Sequence, residues 1–333
     1  MESEKSVAGA AFASAREADR RSAGVAAAAR VVRALAQAGA GEIRLGIKDA
    51  APLDPATLAD IERVRGPAAV RIAGDTDGAA FPQSAPLSAW AIVCATGKPG
   101  DGIVSRWLNR PVSQRITWLV LHIPGARPGH ATAATAVIAL AMFAAMLLGG
   151  AAGLIAGGLL FQAASVVDGV DGEMARATFR ASDAGAALDS GVDLATNLLF
   201  VLGLTVALTL RDGPFIAWVG GWGLALFALG AALIARTGRR RGVPLGFDLV
   251  KERVARKAGS PRAAALARAA TYVTSRDFFA LLFMVLILAG MERAILFIFA
   301  AATTIWIGFV AVAARDSAVQ HTCLTSPENV TTV

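Results

Sequence analysis

The pattern of hydrophobic and polar positions changes abruptly near residues 127–130. Charged residues are frequent before this point, whereas the apolar runs after it reach the length of a membrane-spanning helix. About 20 mostly apolar residues are needed to cross the hydrocarbon core of a bilayer. Six stretches approach that length, with the fifth the shortest: residues 131–148, 151–175, 185–210, 214–235, 278–291 and 294–314. The pattern therefore predicts a mainly α protein, a polytopic six-helix transmembrane bundle.

The residues before the bundle have the pattern of a small α/β domain. Residues 41–47, 68–73 and 88–96 are apolar runs typical of strands, and a helix is expected to begin at Asp54–Pro55, with Asp54 as N-cap. The following segment, residues 104–122, mixes Arg with Trp, Leu and Ile and is typical of an amphipathic helix at a membrane interface. The expected division is an α/β domain at 1–100, an interfacial segment at 101–130, the transmembrane domain at 131–316 and a polar tail at 317–333.

The basic residues predict the orientation of the bundle. Residues 236–276, between the fourth and fifth predicted spans, have only Asp248 and Glu252 as acidic residues. Their basic residues include Arg239, Arg240, Arg241, Lys251, Arg253, Arg256 and Lys257. Loops rich in Lys and Arg face the cytoplasm. With six spans, both termini, the α/β domain and the connection between the second and third spans are then cytoplasmic, in a multi-pass protein of the cytoplasmic membrane.

Composition supports a membrane protein and excludes some functions. Of the 333 residues, 55% are hydrophobic and 17% are charged, which is too apolar for an ordinary soluble protein. The net charge of +7 favours anionic lipid and anionic substrate as partners. A single Tyr, with no alternation of basic and aromatic residues, argues against nucleic acid as a partner. Cys94 and Cys323 have no metal-ligand spacing, so neither a zinc site nor a disulfide framework is indicated.

Four aspartates interrupt the apolar pattern of the second and third spans. Asp168 and Asp171 are three residues apart, and Asp189 and Asp193 are four apart, so each pair shares one face of its helix. Two helices joined by a short loop would bring the four carboxylates together. Carboxylates in a membrane helix are costly without a partner, and Mg²⁺ or Mn²⁺ would neutralise them and could bridge substrate phosphates. The spacing therefore predicts a divalent metal site.

Smaller residues and one arginine accompany these acids. Gly172 and Gly185 carry no side chain where a ligand could approach the helix backbone closely. Arg176, one turn beyond Gly172, could offer a fixed positive fork to a phosphate, although alone it would be interpreted as a basic flank of a membrane span. The pattern indicates a phosphate-containing ligand beside the metal site.

Together these positions resemble a known signature. The pattern D-x2-D-G-x2-A-R-x8-G-x3-D-x3-D is that of the CDP-alcohol phosphotransferase family. It is complete here at Asp168, Asp171, Gly172, Ala175, Arg176, Gly185, Asp189 and Asp193. The resemblance implies that Asp168, Asp171 and Asp189 are the principal ligands of two metal ions. Asp193 would complete the site and act as the base for the acceptor hydroxyl, and Gly172, Ala175, Arg176 and Gly185 would line the CDP site. It also implies six membrane helices and a homodimer.

A narrower resemblance lies outside this signature. The segments DGIVSRWLNRPVSQRI and TSRDFFALL are similar to the subgroup that contains di-myo-inositol-phosphate-phosphate synthases. The segment VVRALAQAGAGEIRLGI resembles a helix and strand of a cytidylyltransferase-like domain. Residues 1–100 contain no glycine-rich nucleotide loop with its lysine, so the domain is expected to be shortened and non-catalytic.

Two further residues have open interpretations. Arg276 begins the fifth span beside Asp277, where it could bind the phosphate of a phosphorylated acceptor or serve as a basic flank. Asp183 lies outside the signature and is expected to cap the third helix.

The expected function is transfer of a substituted phosphate from a CDP-linked alcohol to an acceptor hydroxyl, with release of CMP. This chemistry is expected to serve either the synthesis of inositol-type compounds or the synthesis of phospholipid headgroups. The alternative is a membrane transporter that uses the carboxylates to bind cations, since acids within membrane helices allow that function. The acids cluster at one end of the predicted bundle and no inverted repeat is present, which favours the transferase.

Overall fold

The computed structural model describes residues 6–74, 87–98, 101–241 and 276–324. The chain forms two compact units. The first comprises Met1–Pro99, Gln114–Pro128 and Val170–Ala181, and the second comprises Gly100–Ser113, Gly129–Gly169 and Ser182–Val333. The second predicted membrane helix begins in the second unit and ends in the first.

The first unit contains a small α/β domain. Its strands are β1 (Val7–Phe12), β2 (Arg21–Ser22), β3 (Val25–Ala26), β4 (Glu42–Ile47) and β5 (Ala69–Ala73). Its helices are α1 (Ala15–Asp19), α2 (Ala27–Gln37), α3 (Pro55–Val64) and α4 (Ala89–Cys94). β1, β4 and β5 form a parallel sheet in the order β1-β4-β5, and α2 and α3 form the crossovers between consecutive strands. Such crossovers are needed to connect parallel strands.

The sequence predicted three elements of this domain correctly. β4 and β5 lie at the two runs expected to be strands, and α3 begins at Pro55 as expected. Asp54 is the N-cap, and its Oδ1 accepts a hydrogen bond of 3.4 Å from the amide of Ala56. The N-capping residue and the proline in the first turn therefore locate this helix start.

The strand predicted at residues 88–96 is wrong. These residues form the short helix α4, and Ser88 is its N-cap. The hydroxyl of Ser88 accepts a hydrogen bond of 3.2 Å from the amide of Ala91. This local cap outweighs the strand preference of the Ile-Val pair, because it satisfies an amide that the first turn of a helix leaves without a partner.

Long helices make up most of the rest of the described chain. A turn of π-helix (Ser105–Asn109) leads into α5 (Arg110–Val120). The later helices are α6 (Pro128–Leu148), α7 (Gly150–Ala177), α8 (Asp183–Asp212), α9 (Pro214–Arg241), α10 (Arg276–Leu288) and α11 (Glu292–Leu324). Helices thus occupy all six predicted positions. The basic residues 242–275 lie outside the described residues, as do residues 325–333 of the predicted tail.

Four of these helices are long and apolar enough to cross a membrane. Within the described residues they are α6, α7, α8 and the Pro214–Arg236 part of α9. Within the described residues α10 has 13 residues, which is short for a span. The structure therefore confirms a mainly helical membrane protein with a small α/β region and four candidate spans among the described residues, and the full set of six spans stays a prediction.

The core of the second unit joins α7, α8 and α10. The rings of Phe161 and Phe200 stack with centroids 4.1 Å apart, and the rings of Phe200 and Phe283 stack at 5.7 Å. Gly158 allows α10 to approach α7 closely, since a Cβ at this position would lie 3.1 Å from Cδ1 of Ile287. These contacts hold the three helices that carry the candidate site.

Asp183 does not cap α8 as predicted. The N-cap is Ser182, whose extended backbone lets its hydroxyl accept a hydrogen bond of 3.1 Å from the amide of Gly185. Asp183 is the first helical residue, where its charge still interacts favourably with the positive end of the helix dipole.

Candidate metal and nucleotide site

Three aspartates of the signature converge in the second unit. Asp168 lies on α7, and Asp189 and Asp193 lie one turn apart on α8. One carboxylate oxygen of each residue lies within 4.8 Å of those of the other two. The side chains of Asp168 and Asp193 are 23% and 30% exposed, so a ligand can reach the group. Three of the four aspartates that the helical spacing predicted to come together therefore form a carboxylate cluster.

Arg276 reaches this cluster from the first residue of α10. Its Nη1 lies 2.9 Å from Oδ2 of Asp168 and also forms an ion pair with Asp193. Among the described residues, Nε and Nη2 of Arg276 are buried and have no hydrogen-bond partner. The two orphaned donors lie next to the acids and could bind an anionic ligand.

A buried polar network holds the start of α10. Nδ2 of Asn109 donates hydrogen bonds to Oδ1 of Asp277 at 2.9 Å and to the hydroxyl of Ser165 at 3.2 Å. The hydroxyl of Ser165 donates to the same Asp277 oxygen at 2.7 Å, and Nε2 of Gln162 donates to Oδ1 of Asn109 at 2.8 Å. Because Asp277 follows Arg276 directly, this network fixes the backbone from which Arg276 extends.

Sequence reasoning did not identify this network. A signal was present, since Gln162, Ser165 and Asp168 are spaced by three along an otherwise apolar helix. This spacing places them on one face of α7. Their partners could not be predicted, because Asn109 and Asp277 are separated from them by 53 or more residues along the chain.

The remaining signature positions of α7 lie in the first unit. Asp171 is buried one turn beyond Asp168, and it is not a member of the group of three described above. Nε of Arg176 donates a hydrogen bond of 2.8 Å to the carbonyl of Thr96. A Cβ on Gly172 would lie 3.0 Å from Nη1 of Arg176, so this glycine leaves room for the guanidinium. Ala175 is half-buried on the same helix.

Gly185 lies in the first turn of α8 and is exposed. Its amide binds the capping hydroxyl of Ser182, and a Cβ would lie 3.1 Å from that oxygen. The absence of a side chain therefore preserves the helix cap as well as leaving the surface open.

Residues 127–306 match the family model described as CDP-alcohol phosphatidyltransferase. The match covers more than half of the 333-residue chain and includes all eight signature positions. The chain belongs to the CDP-alcohol phosphatidyltransferase family. This family uses a CDP-alcohol donor, an alcohol acceptor and a divalent metal.

Similar curated proteins carry the name bifunctional IPC transferase and DIPP synthase. The Aquifex aeolicus protein is 38% identical over 120 residues, which cover 36% of this chain and 26% of that protein. The Thermococcus kodakarensis protein is 37% identical over 94 residues, covering 28% and 20% of the two chains. The Rubrobacter xylanophilus protein is 34% identical over 171 residues, covering 50% and 35%. These matches thus span between a fifth and about a third of the relatives.

The carboxylate cluster fits the metal that a CDP-alcohol phosphatidyltransferase uses. Carboxylate oxygens are the hard ligands that Mg²⁺ and Mn²⁺ prefer. Three carboxylates face one guanidinium, so the formal charge of the cluster is negative. A divalent cation would offset this charge, whereas the cluster alone is electrostatically unfavourable in a membrane helix pair.

Proposed function

We propose that this chain is a membrane-bound CDP-alcohol phosphotransferase with its active site at the carboxylate cluster. The observation that carries this proposal is the convergence of Asp168, Asp189, Asp193 and Arg276 within a chain of this family. The cluster combines acids able to hold a divalent cation with a buried arginine able to bind phosphate.

In this proposal Asp168 and Asp189 are metal ligands, Asp171 adds a further carboxylate, and Asp193 completes the set. A pair of Mg²⁺ or Mn²⁺ ions would supply charge neutralisation for the pyrophosphate and its leaving group. Gly172, Ala175 and Gly185 leave space for the CDP moiety, and Arg176 contributes a positive charge beside it. These roles follow the family signature and are supported by the cluster on α7 and α8.

The chemistry proposed for the protein side chains is proton removal and orientation. The carboxylate of Asp193 accepts the proton of the acceptor hydroxyl as the oxygen attacks the phosphorus distal to cytidine. The bond between that phosphorus and the bridging oxygen breaks, and CMP leaves with the oxygen. Arg276 binds phosphate oxygens through Nε and Nη2 and keeps Asp168 and Asp193 in place through Nη1. The product is a phosphodiester.

We propose an inositol-type substrate pair for this reaction. The relatives are named bifunctional IPC transferase and DIPP synthase. The segments DGIVSRWLNRPVSQRI and TSRDFFALL also resemble the subgroup that contains di-myo-inositol-phosphate-phosphate synthases. A phosphorylated acceptor would present an anion suited to the two orphaned donors of Arg276. A CDP-diacylglycerol donor would make the protein a phospholipid synthase.

The helix before the bundle supports a position at the membrane surface. Along residues 105–120 the polar side chains of Asn109, Ser113 and Thr117 are buried, whereas Trp107 and Leu119 are 77% and 59% exposed. Such exposure of apolar residues is typical of a helix that contacts lipid at an interface. We propose that residues 101–130 lie at the membrane interface.

We also propose that the α/β domain of residues 1–100 and both termini are cytoplasmic, and that the protein is a homodimer. The transmembrane domain of residues 131–316 and the tail at 317–333 complete this arrangement.

The substrate proposal can be tested with purified protein in Mg²⁺. CDP-inositol and CDP-diacylglycerol are offered in parallel, each with inositol, inositol phosphate or glycerol phosphate as acceptor, and CMP is quantified. We expect CMP from CDP-inositol when inositol phosphate is present. Release only from CDP-diacylglycerol would contradict the inositol-type donor and support phospholipid headgroup synthesis, while no release with any pair would contradict this substrate range.

A further inference from the structure

The connection between α7 and α8 is bound by arginines of the α/β domain. α7 ends at Ala177, and the last carbonyls of a helix have no partner within it. Nη2 of Arg30 donates a hydrogen bond of 2.9 Å to the carbonyl of Ala177. Nη1 of Arg63 donates to the carbonyls of Thr178 at 2.9 Å and Phe179 at 3.2 Å. Two side chains remote in sequence thus cap the end of this helix.

Both arginines are themselves held firmly. Arg30 donates from Nε and Nη2 to the carbonyl of Ser22, at 3.1 Å and 2.7 Å. Nη2 of Arg63 donates to the buried carboxylate of Asp60 at 2.8 Å, and Asp60 also binds Arg21. Burial lowers the pKa of Arg30 to about 10, which leaves its guanidinium charged at neutral pH. Both side chains are therefore pre-organised, and that of Arg30 is charged.

The side chain of Phe179 gives the connection a second anchor. Its ring packs against the hydrophobic core of the α/β domain, and the guanidinium carbons of Arg30 and Arg33 lie 5.3 and 5.9 Å from the ring centroid. The φ angle of Phe179 is +55°, which is unfavourable for a bulky residue. Packing of the ring offsets this cost and holds the chain in the turn.

The same domain also contacts a residue of the signature. The carbonyl of Thr96, just after α4, accepts the 2.8 Å hydrogen bond from Nε of Arg176. Thr96 is buried, and its hydroxyl donates to the carbonyl of Val93 at 2.7 Å. The orientation of the Arg176 guanidinium is therefore determined by the α/β domain as well as by α7.

We infer that the N-terminal α/β domain is a positioning element for CDP binding, with Arg30 and Arg63 as its positioning residues. They fix the end of α7 and the connection that leads to the second half of the signature, while Thr96 orients Arg176. This inference rests on the proposed function, because it assigns Arg176 to the CDP site. It explains how a domain without a nucleotide loop of its own contributes to the reaction.

The test compares full-length variants in lipid nanodiscs. Arg30→Ala removes one cap, and Arg30→Lys keeps the charge but not the planar fork. Arg71→Ala is the control, because the side chain of Arg71 is 74% exposed and its ion pair with Glu42 is long, at 3.6 Å. Three properties are measured: amide hydrogen exchange over residues 178–182, CDP affinity by calorimetry, and kcat and KM for CMP release. We expect Arg30→Ala to speed exchange there, because a charged hydrogen bond to the end of α7 is lost. We expect CDP binding to weaken and KM for the donor to rise by up to about ten-fold, because binding must then order the loosened segment. We expect kcat to change less, Arg30→Lys to recover part of the affinity, and Arg71→Ala to match the wild type.

Exchange protection of β4 shows whether the domain remains folded. If β4 stays protected in Arg30→Ala while exchange at 178–182 and CDP affinity equal those of the wild type, the inference is overturned. If β4 loses protection in Arg30→Ala, the same measurements are made on Phe179→Ala, in which β4 is expected to stay protected. Faster exchange at 178–182 and weaker CDP binding in Phe179→Ala then support the inference, whereas wild-type values of both overturn it. Exchange and CDP binding need no turnover. A wild type that binds CDP but releases no CMP would therefore contradict the proposed function without contradicting the positioning role.

Discussion

In the proposed site, Arg276 divides its hydrogen-bond donors between the protein and a ligand. Nη1 serves Asp168 and Asp193, whereas Nε and Nη2 remain buried without a hydrogen-bond partner among the described residues. One guanidinium can therefore bridge the two acids through Nη1 and still offer two donors to a phosphate. In the proposed mechanism the two residues have separate roles: Asp193 removes a proton, and Arg276 binds the charge of a phosphate.

Replacement of Asp193 by Asn should abolish turnover and largely preserve CDP-alcohol binding. The amide keeps the shape of the side chain but cannot accept the proton of the acceptor hydroxyl. Loss of a general base lowers kcat by about 10²–10⁴-fold. CMP release and calorimetric binding of the CDP-alcohol measure the two effects. Asp183→Asn is the matched control on α8, outside the signature, and should behave like the wild type. An equal loss of binding in Asp193→Asn would make Asp193 an essential metal ligand in place of a base.

Replacement of Arg276 by Ala should impair use of a phosphorylated acceptor. The two orphaned donors are lost, and Asp168 and Asp193 lose their compensating charge. We expect KM for inositol phosphate to rise by at least about ten-fold, as for loss of a charged hydrogen bond, and more than KM for the CDP-alcohol. Arg276→Lys should recover only part of this, because ammonium lacks the planar fork. Arg293→Ala, at a 62% exposed arginine, is the control. Equal KM values for the acceptor in Arg276→Ala and the wild type would exclude the acceptor-phosphate role.

At the scale of elements, the helical spacing of the aspartates predicted that four carboxylates of α7 and α8 would come together, and three of them form the cluster while Asp171 is not a member. It did not predict Arg276 as their partner, because 83 residues separate Arg276 from Asp193 and nothing local couples them. Short capping interactions also went unrecognised: Ser88 turns a predicted strand into α4, and Ser182 caps α8 in place of Asp183. Periodicity therefore predicted long elements well, whereas side-chain hydrogen bonds decided short elements and their ends.

Asn109 should be important for the packing of α10. Asn109→Ala removes its hydrogen bonds to Ser165 and Asp277 and leaves the buried amide of Gln162 without its acceptor. Buried polar groups left unsatisfied cost about 1–3 kcal/mol each. We expect a lower thermal unfolding midpoint in detergent and reduced kcat, because α10 carries Arg276. Leu108→Ala, at a 43% exposed neighbour, should leave both unchanged. An unchanged midpoint and kcat in Asn109→Ala would contradict the role of the network.

For the whole molecule, the proposed orientation places the α/β domain in the cytoplasm. Cys94 is an exposed free thiol in that domain and reports its location. In intact cells that express a Cys323→Ser variant, we expect no labelling of Cys94 by a membrane-impermeant maleimide, and full labelling after permeabilisation. Labelling of intact cells would place the domain outside and reverse the proposed topology.

The measurement that tests the central claim most directly is metal-dependent formation of CMP from a CDP-alcohol by the purified protein. The reaction is run with Mg²⁺, with Mn²⁺ and with excess chelator, and Asp189→Ala is assayed beside the wild type, because this change removes one carboxylate of the cluster. We predict that CMP and phosphodiester form in equal amounts with either ion, and that neither forms in chelator or with Asp189→Ala. CMP formation that persists in chelator or in the variant would contradict a metal-bound phosphotransferase site at these aspartates.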